Sequence, residues 1–192
     1  MLHGTGGDEA SFAGLAPVLA PGDAMLSVRG NVSEHGMNRF FRRHPEGVYD
    51  MEDLAFRTRA LNAFVEAALQ HYEIDPDRLI AVGYSNGANI LANLLFHEPS
   101  LVPTAVLMPP LIPFAPADQP GLAGRRVLIT AGERDTICPP AMPRALHGYF
   151  ERQHAAAEVV FHSGGHELQE TELKAARRFV ATQPASAAAP PV

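Results

Sequence analysis

Five short apolar runs, at 24–28, 79–82, 104–108, 127–130 and 159–161, are separated by stretches in which apolar residues recur at helical spacing. A strand that is apolar on both sides needs cover on both faces, and helices between successive strands supply it. The alternation therefore predicts an α/β fold, a mostly parallel sheet with helices on both faces. Five helical segments are expected. Asp8 can cap one that buries Phe12, Leu15 and Leu19. Asp50 can open a long one whose stripe is Leu54, Leu61, Phe64, Val65, Ala68, Leu69 and Tyr72. The others span 86–97, 142–153 and 168–181. Two stretches, 29–49 and 109–124, read as irregular and are long enough to be functional loops. Residues 1–181 are expected to form one domain. Residues 182–192, with two adjacent prolines and no large apolar anchor, read as a disordered tail.

The strongest local signal is Gly83-Tyr84-Ser85-Asn86-Gly87, which ends the run 79–82 and opens a helical pattern. A strand that turns straight into a helix leaves room only for small residues two before and two after the apex. The strain lifts the serine hydroxyl clear of the sheet. The new helix aims its free N–H groups at the same point, where negative charge would develop. The alternative, a glycine-rich turn with a helix-capping serine, explains the glycines less well. A second glycine-rich stretch, His3-Gly4-Thr5-Gly6-Gly7, begins just after Met1-Leu2. With no lysine after the glycines, it does not fit a phosphate-binding loop. It suits an oxyanion site, with one N–H from Thr5 and the other from Asn86.

A serine hydroxyl needs a base to take its proton. Of nine histidines, His166 has the most telling context. It follows the run 159–161 across Ser163-Gly164-Gly165, and the two glycines leave it free to swing toward Ser85. His3 is expected to order backbone rather than titrate. The base needs a carboxylate to set its tautomer. Asp135, just past the run 127–130, is the candidate. Glu133 is too close to the strand end, and Asp118 lies away from any strand. His162 and His166 lack a metal-ligand context, because Gly164-Gly165 precludes a shared helix face. No metal or cofactor is expected.

A formal net charge of -6 argues against nucleic acid as the main partner. No apolar run reaches the length of a membrane span. Cys138 is the only cysteine, so no intrachain disulfide can form, and a cytoplasmic location is expected. Cys138 itself reads as a small buried hydrophobe.

Together these residues resemble the phospholipase/carboxylesterase branch of the α/β-hydrolases, the branch of acyl-protein thioesterase-like enzymes and bacterial esterases. The resemblance rests on Leu2-His3-Gly4-Thr5-Gly6-Gly7-Asp8-Glu9, Gly83-Tyr84-Ser85-Asn86-Gly87-Ala88-Asn89, Gly132-Glu133-Arg134-Asp135 and Gly164-Gly165-His166, with Arg39-Phe40-Phe41-Arg42-Arg43 in support. It runs from Leu2 to about residue 180. It implies hydrolysis of carboxylic esters or thioesters without metal or cofactor, often by a homodimer. It also implies a full central strand before His3. Only Met1-Leu2 stands there, so an N-terminally truncated sheet, less stable for it, is expected. The order Ser85, Asp135, His166 is that of the fold.

The reading is a serine esterase acting on a small-molecule ester through an acyl-enzyme. Lysophospholipase or acyl-thioesterase activity is the enzymatic alternative, and a non-catalytic ligand-binding protein on the same fold is the alternative of another class. Phe40, Phe41, Met108 and Leu111, with Ile112 and Phe114, are expected to line an acyl pocket, core packing being the competing role. Arg39, Arg42 and Arg43 read better as a solvated basic face than as an anion site.

Overall fold

The computed structural model describes residues 1–45 and 47–182. The proposed tail 182–192 lies outside them except for Thr182, which caps the last helix and is hydrogen-bonded to Arg126. In chain order the elements are α1 (Ala16–Leu19), β1 (Val32–Glu34), β2 (Met37–Arg39), α2 (Met51–His71), β3 (Ile80–Tyr84), α3 (Asn86–His97), β4 (Thr104–Met108), β5 (Arg126–Gly132), α4 (Ala141–Arg152), β6 (Ala156–His162) and α5 (Glu170–Ala181).

The main sheet runs β3-β4-β5-β6, all parallel. On the free side of β3, Leu2 bridges Gly83, and its other edge bridges Val28. The sheet is buried on both faces. From β4, Ala105 and Leu107 pack into a cluster with residues of α2, α3 and α4. Val106 and Met108 point the other way, into a cluster with α1 and α5. This alternation within a fully buried strand is the physical content of the three-layer α/β architecture.

Helix starts follow local chemistry. The Asp50 carboxylate accepts from Asp53 N at the head of α2, and Gln169 and Glu172 form a reciprocal capping box at α5. Four of the five expected strands and the helices from α3 onward fall within a few residues of their observed bounds.

Three expectations are corrected. Residues 24–28 do not form a strand. Only Val28 pairs, its N–H donating to Met1 O, and Met25 and Leu26 are exposed. Its contacts to the sheet are the single bridge of Val28 to Leu2 and the Met1 amino group donating to Leu26 O at 2.8 Å. The helix after Asp8 shrinks to α1, preceded by i to i+3 turns over 8–15, because Pro17 has no N–H to carry a helix across this stretch. In α2, Leu54, Leu61 and Leu69 are buried, but Phe64 and Tyr72 are exposed. The helix turns a narrower stripe to the core than the spacing implied.

The stretch 29–49 is not irregular throughout. β1 and β2 form a hairpin whose register pairs Glu34 with Met37, leaving His35 and Gly36 as a two-residue turn. Both have positive φ, 52° and 79°, the geometry that matches the twist of paired strands.

The correction to α2 is testable by urea unfolding. Leu61→Ala is expected to cost about 2–5 kcal/mol, as for a buried leucine, whereas Phe64→Ser is expected to stay within about 0.5 kcal/mol of the parent. Equal losses would restore Phe64 to the core.

Candidate active site

β3 ends at Tyr84 and α3 begins at Asn86, so Ser85 alone makes the turn. Its backbone lies at φ 52°, ψ −116°, a region costly for any residue but glycine. The glycines on either side are demanded by space. A Cβ on Gly83 would stand 2.5 Å from Gly87 O, and one on Gly87 would be 2.7 Å from His3 O and closer still to the Leu2 carbonyl. The elbow is thus clamped against the first residues of the chain. Ser85 N–H donates to Met108 O at 2.6 Å, tying the apex to the neighbouring strand.

His166 and Asp135 arrive from the ends of β6 and β5. His166 Nε2 stands 2.9 Å from Ser85 Oγ, and Nδ1 stands 2.7 Å from Asp135 Oδ2. Asp135 is buried, and its Oδ1 accepts from Ile137 N and Cys138 N, both at 2.8 Å. With an ionised carboxylate on Nδ1, the proton of the neutral imidazole belongs there. Nε2 is then free to accept from the serine hydroxyl. Glu133 is exposed, and Asp118 is engaged by Gln153 Nε2 far from this group.

The loop carrying His166 is held at several points. Gly164 O accepts from Arg134 N, and His162 O accepts from Glu133 N. Gly132 has no room for a side chain, since its Cβ would be 2.6 Å from Gly164 O. The Tyr84 hydroxyl donates to His166 O at 2.9 Å, and its ring lies 5.7 Å from the imidazole. Burial, with the Glu172, Asp135 and Glu167 carboxylates nearby, pushes the Tyr84 phenol above its ordinary range, which keeps it a donor.

Beneath this loop lies a second buried pair. His162 Nδ1 accepts from Gly164 N at 3.1 Å, so its proton sits on Nε2, 2.8 Å from Glu172 Oε2. Glu172 Oε1 accepts from Thr130 Oγ1 at 2.8 Å. Burial raises the Glu172 carboxyl above its usual value despite these partners. The sequence said of His162 only that it lacks a metal-ligand context. Its position two residues before Gly164 was a signal only once Glu172 was known to face it.

The loop carrying Thr5 is braced in the same manner. His3 Nε2 accepts from Gly30 N at 2.9 Å, and Nδ1 lies 2.6 Å from Gly4 O. Gly6 N donates to Asn38 O, and Arg39 Nη1 donates to Thr5 Oγ1 at 2.6 Å. Among the described residues, Thr5 N has no acceptor. Asn86, as the first residue of α3, has no intrahelical acceptor for its N–H. Both residues border the same cleft as Ser85 and His166.

That cleft encloses only about 30 Å³, room for about one ordered water, and otherwise opens to solvent. Leu111 lines it, with Arg39, Arg43, Tyr49, Pro109 and Ile137. Five of the six residues expected there do not. Phe41 is fully buried, edge-on to Tyr49, and Phe40 packs on His3. Met108 points into the opposite core. The apolar runs that contain them were drawn inward by packing. Ile112 and Phe114 also join the core. Of the three arginines, only Arg42 belongs to a solvated face, beside Asp50. Arg39 is 3% exposed. Among the described residues, no group of three His, Cys, Asp or Glu side chains is arranged to hold a metal ion, and no helix is long and apolar enough to cross a membrane.

A parallel sheet covered by helices, with a serine on a strained strand-to-helix turn at its edge, defines an α/β-hydrolase. No protein-family model matches the chain. Its relatives agree with the geometry. MhqD of Bacillus subtilis (strain 168), described as a "Putative hydrolase", is 42% identical over 179 residues, which are 93% of this chain and 90% of MhqD. The crystal structure of a Bacillus cereus carboxylesterase is 43% identical with a TM-score of 0.88, covering 94% of this chain and 85% of that one. Atu2452 of Agrobacterium tumefaciens str. C58, whose structure is described as that of a protein of unknown function, is 49% identical with a TM-score of 0.87, covering 95% of this chain and 89% of that one. The chain belongs to the carboxylesterase branch of the α/β-hydrolases and is a hydrolase.

Two predictions follow from the surroundings of the site. His162→Ala leaves the Glu172 carboxyl buried without its partner and is expected to cost about 3–5 kcal/mol in chemical denaturation; a loss under about 1 kcal/mol would make the pair incidental. Cys138 is fully buried, its thiol donating to Pro110 O. Burial and the neighbouring Asp135 push the thiol up to about 12. Iodoacetamide at pH 8 is therefore expected to leave the native protein unlabelled and to label it fully in denaturant, as read by mass spectrometry.

Proposed function

We propose that the protein hydrolyses small carboxylic esters through an acyl-enzyme, with Ser85 as nucleophile, His166 as general base and acid, and Asp135 orienting and stabilising the imidazole. The observation that carries this reading is the unbroken hydrogen-bonded line from Ser85 Oγ to His166 Nε2 (2.9 Å) and from Nδ1 to Asp135 (2.7 Å).

In the first half-reaction Ser85 Oγ attacks the ester carbonyl as its proton passes to His166 Nε2. The N–H groups of Thr5 and Asn86 receive the oxyanion. The C–O bond to the alcohol then breaks, and His166 delivers its proton to the departing oxygen. In the second half, water gives a proton to His166 and attacks the acyl carbon. Ser85 leaves, the proton returns to it, and the carboxylic acid is released. Asp135 stays ionised throughout and balances the imidazolium in its buried setting. No metal or cofactor enters any step. The reading treats residues 1–181 as one catalytic domain, acting in the cytoplasm, where the lone Cys138 suits a reducing environment.

A fluorophosphonate probe is expected to label the protein once, at Ser85. Ser85→Ala should abolish both labelling and turnover of an activated acetyl or butyryl ester. Asp135→Asn should lower kcat by roughly 10⁴-fold while sparing KM, because it favours the wrong imidazole tautomer. Substantial ester turnover by Ser85→Ala would refute the assignment.

A further inference from the structure

The base of the proposed triad is tied back to the residue that carries the nucleophile. Tyr84 ends β3 immediately before Ser85, and its hydroxyl donates to His166 O at 2.9 Å. His166 Nε2 and Ser85 Oγ close the circuit, also at 2.9 Å, between residues 81 positions apart. The Tyr84 end of this circuit is rigid. Its backbone lies inside the sheet, with its N–H donating to Leu2 O at 3.0 Å on one side and Met108 in register on the other. Its ring is boxed in. A Cβ on Gly4 would stand 2.8 Å from Tyr84 Cδ1, so the loop carrying Thr5 crosses directly over the ring. Phe12 meets the ring edge-on at 6.4 Å, and the core cluster of Val106 and Met108 packs against it. With its few side-chain torsions fixed by packing, the hydroxyl has one place to be.

The His166 end is loose by comparison. It follows Gly164 and Gly165, whose backbone has wide freedom. The bonds from Arg134 N and to His162 Nδ1 fall at Gly164, and the Glu167 carboxylate holds Gly165 N at 3.1 Å. Among the described residues, only the Tyr84 hydroxyl hydrogen-bonds to the backbone of His166 itself. Packing needs the ring alone, which phenylalanine would supply; the hydroxyl is additional. A misplacement of about 1 Å between a nucleophile and its base can cost orders of magnitude in rate. We propose that Tyr84 is a positioning residue for the reaction: its hydroxyl sets the His166 imidazole against Ser85, so that the serine proton can pass to Nε2. The inference rests on the esterase reading above and deepens it. Tyr84 does not line the cleft, so it acts through His166 and not on the substrate. Both half-reactions use the same base, so both slow together when it is displaced, and KM stays where it was.

Removing the hydroxyl and keeping the ring tests it. In Tyr84→Phe, kcat for 4-nitrophenyl acetate is expected to fall about 10- to 100-fold with KM held within about twofold, and fluorophosphonate labelling to slow by a similar factor. The proton between His166 Nδ1 and Asp135 should give a far-downfield proton resonance in the wild-type protein, and Tyr84→Phe should broaden it. Placing 4-aminophenylalanine at position 84 returns a donor at the same reach and should recover most of the lost kcat and the sharp resonance, which a ring that only fills space would not do. Wild-type kcat in Tyr84→Phe, a loss carried by KM, an unchanged resonance, or no recovery with the amine would overturn the proposal. The two readings fail differently. If the esterase reading alone is wrong, the wild-type protein shows neither turnover nor labelling, yet the resonance still broadens in Tyr84→Phe and sharpens with the amine. If only the role of Tyr84 is wrong, wild type and Tyr84→Phe hydrolyse the ester and take up the probe at equal rates.

Discussion

Ser85 is held where a non-glycine residue does not rest by choice, at φ 52° with a helix starting on the next residue. That strain persists because the surroundings over-determine it. Its N–H is bound to β4, Gly83 meets the backbone of Gly87, and Gly87 meets Leu2 and His3. The chain's opening residues, the elbow and the first turn of α3 are therefore one contact. From it follow the direction of the serine hydroxyl, the place where the free N–H of Asn86 emerges, and the position of Thr5 three residues along from Leu2.

The partner half of the site depends on a different kind of constraint. His166 rides on a loop of two glycines, which by itself could take many shapes. Its position is set by polar contacts on every side: Tyr84 on its carbonyl, Arg134 on the carbonyl of Gly164, and His162 on the N–H of Gly164. His162 is in turn oriented by Glu172, and Glu172 by Thr130. This buried polar chain links α5 to the loop through the centre of β5. Such networks are costly if half satisfied and specify one arrangement when complete. The pairing of His166 with Ser85 thus rests on a helix that never touches the cleft.

A third set of contacts joins the site to the hairpin of β1 and β2. Asn38, Arg39 and Phe40 each hydrogen-bond to the elbow or the loop carrying Thr5, the last through the side chain of Asn86. Glu34, on the other arm of the hairpin, holds Arg39 and Arg43 in place. One short hairpin thereby braces the loop around Thr5 and helps to hold two arginines at the cleft.

Much of this was legible before any fold was known. The alternation of periods determined an α/β sheet, because strands apolar on both sides must be covered twice. Gly83-Tyr84-Ser85-Asn86-Gly87 determined the elbow, because a turn this tight excludes a Cβ at either glycine. The order of Ser85, Asp135 and His166, each after a strand, identified the residues that the fold brings within hydrogen-bond reach. What the linear chain did not contain were the facts that depend on which surfaces meet. Phe40, Phe41 and Met108 look like pocket residues by composition, and only packing turned them into the core. The run 24–28 has strand character, but in space it makes only a single bridge, from Val28 to Leu2. Arg39 reads as a surface cation until the hairpin folds it inward onto Glu34 and Thr5. Local propensity and spacing are properties of neighbours in sequence; burial, charge pairing and the lining of a cleft are properties of neighbours in space, and only the tertiary structure chooses those.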